Sequence, residues 1–312
     1  MENQTYITDF QLLPFYAQSD YILLATIVFF FLYMFGVLIN SFIITVIYTN
    51  DQLHSPMYLF LCNLAIVDIC YTTTTVPKLL YVLLSGDNTV SFTQCFTQMY
   101  FYVLASLTED VLIFIMAYDR YIAICNPLHY QSILNRRKCL LLISGTWISG
   151  SLNSFVVTVP VSHMSFCHSN TIHHFFCDAK ALVDISCAGT KEVYIVFYLE
   201  LLIFGFLIVV FSLTSYIEIF RVIFKIKSKD GRKKAFSTCS SHLTIVIIYY
   251  TTAFCAYMLP PSEYSNVLEQ VFTALYAVIT PLINPLIYSL RNKDVKGAVL
   301  RILRVSIRVY KS

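Results

Sequence analysis

The sequence predicts an all-α membrane protein: a bundle of seven helical spans followed by a short amphipathic C-terminal helix. Three observations predict it: an apolar composition, seven apolar runs of membrane length, and a lopsided placement of basic residues. Of 312 residues, 57% are hydrophobic and only 12% charged. A soluble domain carries roughly 25% charged residues, so the chain lacks the polar surface to stay in water. Its 25 Phe and 23 Tyr suit side chains that face lipid and populate interfacial belts.

A helix needs about 20 residues to cross a ~30 Å hydrocarbon core. Runs that meet this length occupy 21–48, 57–84, 92–124, 139–161, 193–224, 237–259 and 268–290. The first has no charge at all, and 139–161, 239–259 and 270–290 are likewise uncharged. The second carries Asp68, the third Glu109 and Asp110, and the fifth Glu200. Threonines 72–75 soften the second run and serines the fourth. Both stand as spans because hydroxyl side chains can bond back to their own helix backbone. Outside the bundle lie an N-terminal segment 1–20, a long loop 162–192 and a tail 291–312.

Short loops rich in Lys and Arg stay cytoplasmic. With the N-terminus outside, 18 of the 21 Lys and Arg fall on the inner side, and only Lys78, Lys180 and Lys191 do not. The first span lacks a preceding n-region and cleavage site and reads as an uncleaved signal anchor. Asn3-Gln4-Thr5 is a glycosylation sequon on the outer side. In the tail, Val295, Ala298, Val299, Ile302 and Leu303 alternate at helical spacing with Lys296, Arg301 and Arg304. Such a basic amphipathic helix suits an anionic inner leaflet.

Four of the ten cysteines are expected on the outer face: Cys95, Cys167, Cys177 and Cys187. An oxidising compartment favours pairing, but spacing alone leaves three connectivities open. His168, His173, His174 and Cys177 could be drawn as a metal site. Oxidised cysteines are poor ligands, however, and the plainer reading is a disulfide-pinned lid whose histidines bond locally.

Ionisable groups inside a membrane are costly, so each is a functional candidate. On the third span Tyr102, Ser106, Glu109, Ile113 and Arg120 fall on one helical stripe directed at the bundle interior. Asp110 is rotated off it, toward a neighbouring helix. At 1.5 Å rise per residue, Asn40, Glu109 and Asn284 lie roughly 24–28 Å below the outer face, and Asp68 roughly 18 Å from the inner end of its span. All four can meet at one level. Two carboxylates there cannot both ionise cheaply; they share a proton or hold a small cation such as sodium, unless the group is a structural hydrogen-bond knot. Higher up, Tyr102, Val103, Ser106, Phe204, Ala253, Tyr257 and Ala277 would line a mostly apolar chamber of the kind small molecules occupy, or simply form bundle core. Glu200, about 10 Å below the start of its span, either anchors a cationic or donor-bearing ligand or is a protonated carboxyl bonded to a neighbouring helix.

Several strings are also familiar. Met116-Ala-Tyr-Asp-Arg-Tyr-Ile-Ala-Ile-Cys125 resembles the hallmark of vertebrate odorant receptors, a branch of the rhodopsin-like G-protein-coupled receptors. So do Pro56-Met-Tyr-Leu-Phe-Leu-Cys-Asn-Leu64 followed by Asp68, Lys234-Ala-Phe-Ser-Thr-Cys-Ser-Ser-His-Leu243, and Asn284-Pro-Leu-Ile-Tyr288 with its sequel Ser-Leu-Arg-Asn-Lys293. The wording is closest to the larger, tetrapod-expanded class. The resemblance implies bridges Cys95–Cys177 and Cys167–Cys187. It implies a cytoplasmic switch at Asp119-Arg120-Tyr121, with Tyr216, His242, Tyr250, Asn284, Pro285 and Tyr288 in the activation machinery. Tyr250 stands where many other rhodopsin-like receptors have tryptophan. The implied activity is binding of a small odorant and activation of a stimulatory or olfactory-type heterotrimeric G protein, raising cyclic AMP, in the plasma membrane of sensory cilia. No cofactor is implied beyond a sodium ion, and nucleic acid has no part. An arginine at an inner helix end needs a partner while the bundle is closed, and outward movement of the sixth span would free it.

A transporter or channel is the competing class. Against it stand the lack of inverted repeats, of paired broken helices and of a pore-lining charge ring. An intramembrane enzyme is excluded on motif grounds, since neither HExxH nor GxSxG occurs.

Overall fold

The computed structural model describes residues 9–14, 21–167, 169–188, 190–258, 265–291, 295–298 and 301. Seven long helical segments follow one another. The first four are Ile22–Thr49, Pro56–Ser85, Phe92–Cys125 and Arg136–Ser162. The fifth joins Thr190–Glu200, Leu201–Leu207 and Ile208–Lys225; the sixth is Lys229–Met258; the seventh joins Ser265–Ala274, Leu275–Ile279 and Thr280–Arg291. Six are long and apolar enough to cross a membrane among the described residues, and the apolar part of the sixth is the shorter His242–Met258. The sixth helix begins at Lys229, earlier than the apolar run starting at 237, because Lys and Arg are good helix formers and the helix continues past the hydrocarbon.

Local chemistry sets the ends. The second helix opens with Pro56 in its first turn and stops at Gly86, whose φ of 72° is the left-handed cap glycine tolerates. The third opens with a capping box: the Ser91 hydroxyl accepts from the Gln94 N–H, and the Gln94 side chain accepts from the Ser91 N–H. Asn135 caps the fourth by accepting from the Lys138 N–H at 3.0 Å.

Two helices widen into π turns, Leu201–Leu207 in the fifth and Leu275–Ile279 in the seventh. The second of these precedes Pro281, which has no N–H to continue the ladder. There the Thr280 N–H and hydroxyl both donate to the Leu275 carbonyl, five residues back, the hydroxyl at 3.2 Å. One turn further on, Pro285 leaves the Pro281 carbonyl without its helical donor, and Asn40 of the first helix supplies one at 3.1 Å.

The third helix is the hub, packed against the second, fourth and fifth. Gly150 of the fourth lets it close on the third: a Cβ there would stand 2.4 Å from the Thr108 hydroxyl and 3.1 Å from the Leu104 carbonyl. Phe31, Leu141, Ile148 and Phe206 point outward and are exposed, as expected of side chains that face lipid.

The end that carries the disulfides, called the upper end below, holds β structure that hydropathy does not anticipate. Its strands are β1 (Asp9–Leu12), β2 (Thr89–Ser91), β3 (Ser165–Phe166), β4 (Thr171–Ile172) and β5 (Ser186–Ala188). β1 pairs antiparallel with β2 and parallel with β4, while β3 pairs antiparallel with β5. A lid helix, Ala179–Asp184, is capped by Asp178 through the Lys180 and Ala181 N–H groups. Cys95–Cys177 ties the lid to the third helix, and Cys167–Cys187 closes the loop on itself, with Cα separations of 5.3 and 5.8 Å.

Candidate functional site

At the upper level, side chains expected to line a chamber meet in a cluster of tyrosines. The Tyr102 and Tyr257 hydroxyls are 2.9 Å apart, and Tyr257 donates to Asp178 of the lid at 3.4 Å. Ser106 lies 2.8 Å from the Tyr276 hydroxyl, which is 2.9 Å from that of Tyr249. Phe176 of the lid packs on Tyr102, with ring centroids 4.3 Å apart, and Tyr71 lies on the other side at 4.9 Å. Val103 and Ala253 pack half-buried against the core, and Ala277 is buried. Phe204 is half-buried on the π turn of the fifth helix.

Glu200 is half-buried beside Asn153 of the fourth helix, and its Oε1 is buried without a hydrogen-bond partner among the described residues. Asp110, predicted to lie off the inner stripe, accepts from the Tyr250 hydroxyl of the sixth helix at 2.5 Å.

In the middle, Asn284 donates to both Asp68 and Glu109, each at 3.1 Å, and all three are at most 1% exposed. Asn40 shares their level, but its amide is spent on the Gly36 and Pro281 carbonyls. In this group four buried oxygens lack a partner among the described residues: Asp68 Oδ2, Glu109 Oε2, Asn284 Oδ1 and Asn40 Oδ1. Pro285 follows directly and is buried.

At the lower end, Arg120 is ion-paired with its neighbour Asp119, with Nε 2.9 Å from the carboxylate. The Tyr130 hydroxyl holds the other carboxylate oxygen at 2.7 Å. Tyr121 packs half-buried on the core. Tyr216 is hydrogen-bonded to His242 Nδ1, which joins the fifth and sixth helices, and His242 also reaches the Ile113 backbone. Arg120 is therefore tied to its own helix and the segment after it, while the sixth helix is held separately.

Several residues in these networks carried no local signal: Tyr71, Tyr130, Tyr249, Tyr276 and Asp178. Tyrosine is too common here to mark a site, and Asp178 looked like one more loop acid. Among the described residues no group of His, Cys, Asp and Glu is placed to hold a metal ion. His174 is instead packed against Phe175 and Phe176, where burial and the nearby Lys180 charge pull its pKa down to about 3. Burial pushes the Asp178 carboxyl upward, against the lid N–H groups and Lys180. Asn3, His168, the Tyr288 side chain and most of the tail lie outside the described residues; Val295 and Ala298 are buried.

The family model described as "Olfactory receptor" matches residues 29–305. Olfactory receptor 5F1 of Homo sapiens is 44% identical over 97% of this chain and 96% of its own length. Olfactory receptor 1G1 of Gorilla gorilla gorilla is 40% identical over 97% of each chain. Olfactory receptor 2T5 of Homo sapiens is 40% identical over 98% of this chain and 97% of its own. With that match along almost all of its length, the chain belongs to the olfactory receptor family: it is a multi-pass G-protein-coupled receptor and not an enzyme.

Proposed function

We propose that a small odorant binds among the tyrosines of the upper chamber and that the receptor then activates a heterotrimeric G protein of the stimulatory or olfactory type, raising cyclic AMP. The observation that carries this reading is the continuity of the third helix. It holds Tyr102 and Ser106 in the chamber network and Arg120 in a closed ion pair, roughly 20–27 Å lower at 1.5 Å per residue. Ligand contacts that favour outward movement of the sixth helix would act on Tyr249, Tyr250 and Tyr257 above and His242 below. Release of the Tyr216–His242 bond would open a groove into which Arg120 can turn.

In this reading the N-terminus is extracellular, Asn3 is glycosylated and the receptor sits in the plasma membrane of sensory cilia. The basic tail helix lies on the inner leaflet. The four unpartnered oxygens around Asp68, Glu109, Asn284 and Asn40 are hard acceptors of the kind that hold a small cation. They share a sodium ion or a proton, whose loss would accompany activation.

The test is a cyclic AMP reporter in cells expressing the chain, read against a chemically diverse odorant panel. Arg120→Ala is expected to abolish the response while surface expression persists. An undiminished response from that variant would remove Arg120 from the switch. A ligand-dependent ion flux in liposomes without G protein would instead favour a channel.

A further inference from the structure

The hydroxyl groups of the upper chamber form chains whose proton order can be read from their ends. A hydroxyl has one proton to donate. Tyr249 spends its proton on the Ser106 carbonyl oxygen at 3.2 Å, so in its contact with Tyr276 it accepts. Tyr276 thereby spends its own, and the Ser106 hydroxyl must donate to Tyr276. In the second chain Tyr257 donates to the Asp178 carboxylate, so Tyr102 donates to Tyr257. Each chain runs into an oxygen that can only accept, which orders the whole row.

Both chains start on the third helix, at Tyr102 and Ser106, one turn apart on the same face. Their protons are committed, and their oxygens keep lone pairs for a donor. Beside them stands Tyr71, 0% exposed. Its ring lies 4.9 Å from that of Tyr102 and 5.7 Å from that of Tyr276, and its hydroxyl has no partner in hydrogen-bond geometry among the described residues. Two acids that could hold a cation are engaged elsewhere: Asp110 with Tyr250 and Asp178 with the lid N–H groups.

From this arrangement we infer that the receptor selects small alcohols and phenols. The ligand hydroxyl donates to the Tyr102 or Ser106 oxygen and accepts the Tyr71 proton, while its hydrocarbon body lies toward Val103, Ala253 and Ala277. A ketone, ester or ether has no proton for those oxygens. An ammonium group cannot accept from Tyr71. The inference rests on the proposal that odorants occupy the upper chamber.

The experiment uses matched sets sharing one carbon skeleton, each an alcohol, its methyl ether and its ketone, read by cyclic AMP in cells with the full chain at the surface. Alcohols are expected to be more potent than ethers and ketones by about tenfold, the worth of a hydrogen bond in a desolvated site. Tyr71→Phe and Ser106→Ala should each shrink the alcohol-to-ether potency ratio, which mere misfolding does not move. Ethers or ketones as potent as the alcohols would overturn the inference, and so would silence to every alcohol from a surface-expressed receptor. Ala277→Phe and Ala253→Phe, which overfill the chamber, separate the two proposals. If they abolish responses while the wild-type ratio is near one, the ligand class alone is wrong. If alcohol responses survive both unchanged, the chamber is not the site.

Discussion

At the scale of single residues, one amide holds the middle of the receptor together. Asn284 gives one nitrogen to two carboxylates at 3.1 Å each. Asn284→Ala would leave Asp68 and Glu109 facing each other without a donor, at about 1–3 kcal/mol for each stranded polar group. Less folded receptor at the cell surface is expected, counted by flow cytometry on an N-terminal tag. Asp68→Asn in the same background should restore part of it by returning a donor. Glu200 stands apart from that group, beside Asn153 of the fourth helix. Glu200→Gln keeps a polar group of the same size there and is expected to leave the ranking of amine ligands unchanged, whereas Glu200→Leu removes the polar neighbour of Asn153 and lowers surface expression. A changed amine ranking in the Gln variant would put Glu200 back in the chamber.

At the scale of elements, helix contacts depend on small residues and on irregular turns. Gly150 permits the close approach of the third and fourth helices, with backbone carbonyl Leu104 directly opposite. Gly150→Val is expected to push the helices apart and sharply reduce surface expression, while Gly145→Val, which meets nothing within 4 Å, should express normally. The two π turns have a less visible origin. Pro281 accounts for the one in the seventh helix, through the ladder bond it cannot make. That of the fifth contains no proline, and its sequence Leu201–Leu207 reads as ordinary apolar helix. Strands of two to four residues, such as β1 and β4, are equally silent in sequence, since no periodicity develops over so short a length.

At the scale of the whole molecule, the lid couples to the bundle by charge and by burial. Lys180 of the lid pairs with Glu269 of the seventh helix at 2.6 Å. Reversing either charge should weaken ligand potency, and the double swap Lys180→Glu with Glu269→Lys should recover it, measured as a double-mutant cycle. His174 adds a pH dependence. In the unfolded chain it takes a proton below about pH 6.5, but in the folded lid only near pH 3. Between those values the unfolded state binds more protons, so stability falls as pH drops from 6.5. A lower melting temperature at pH 5 than at pH 7.5 is expected for the purified receptor, with a smaller difference in His174→Phe.

Seven spans, a one-sided placement of basic residues and the depth of each polar residue along its helix were all legible in the sequence. They follow from hydrophobic length, charge placement and a constant rise per residue, which are properties of local segments. Even the shared level of Asp68, Glu109 and Asn284 could be counted out in residues. What only the tertiary structure decided was which groups meet at each level. Asn40 went to the Pro281 carbonyl, Asp110 to Tyr250, and Tyr102 to a tyrosine 155 positions away. A hydrogen bond forms or fails over less than an ångström and a few tens of degrees. Helix rotation, proline-driven turns and the disulfide-held lid set those, and no segment carries them alone.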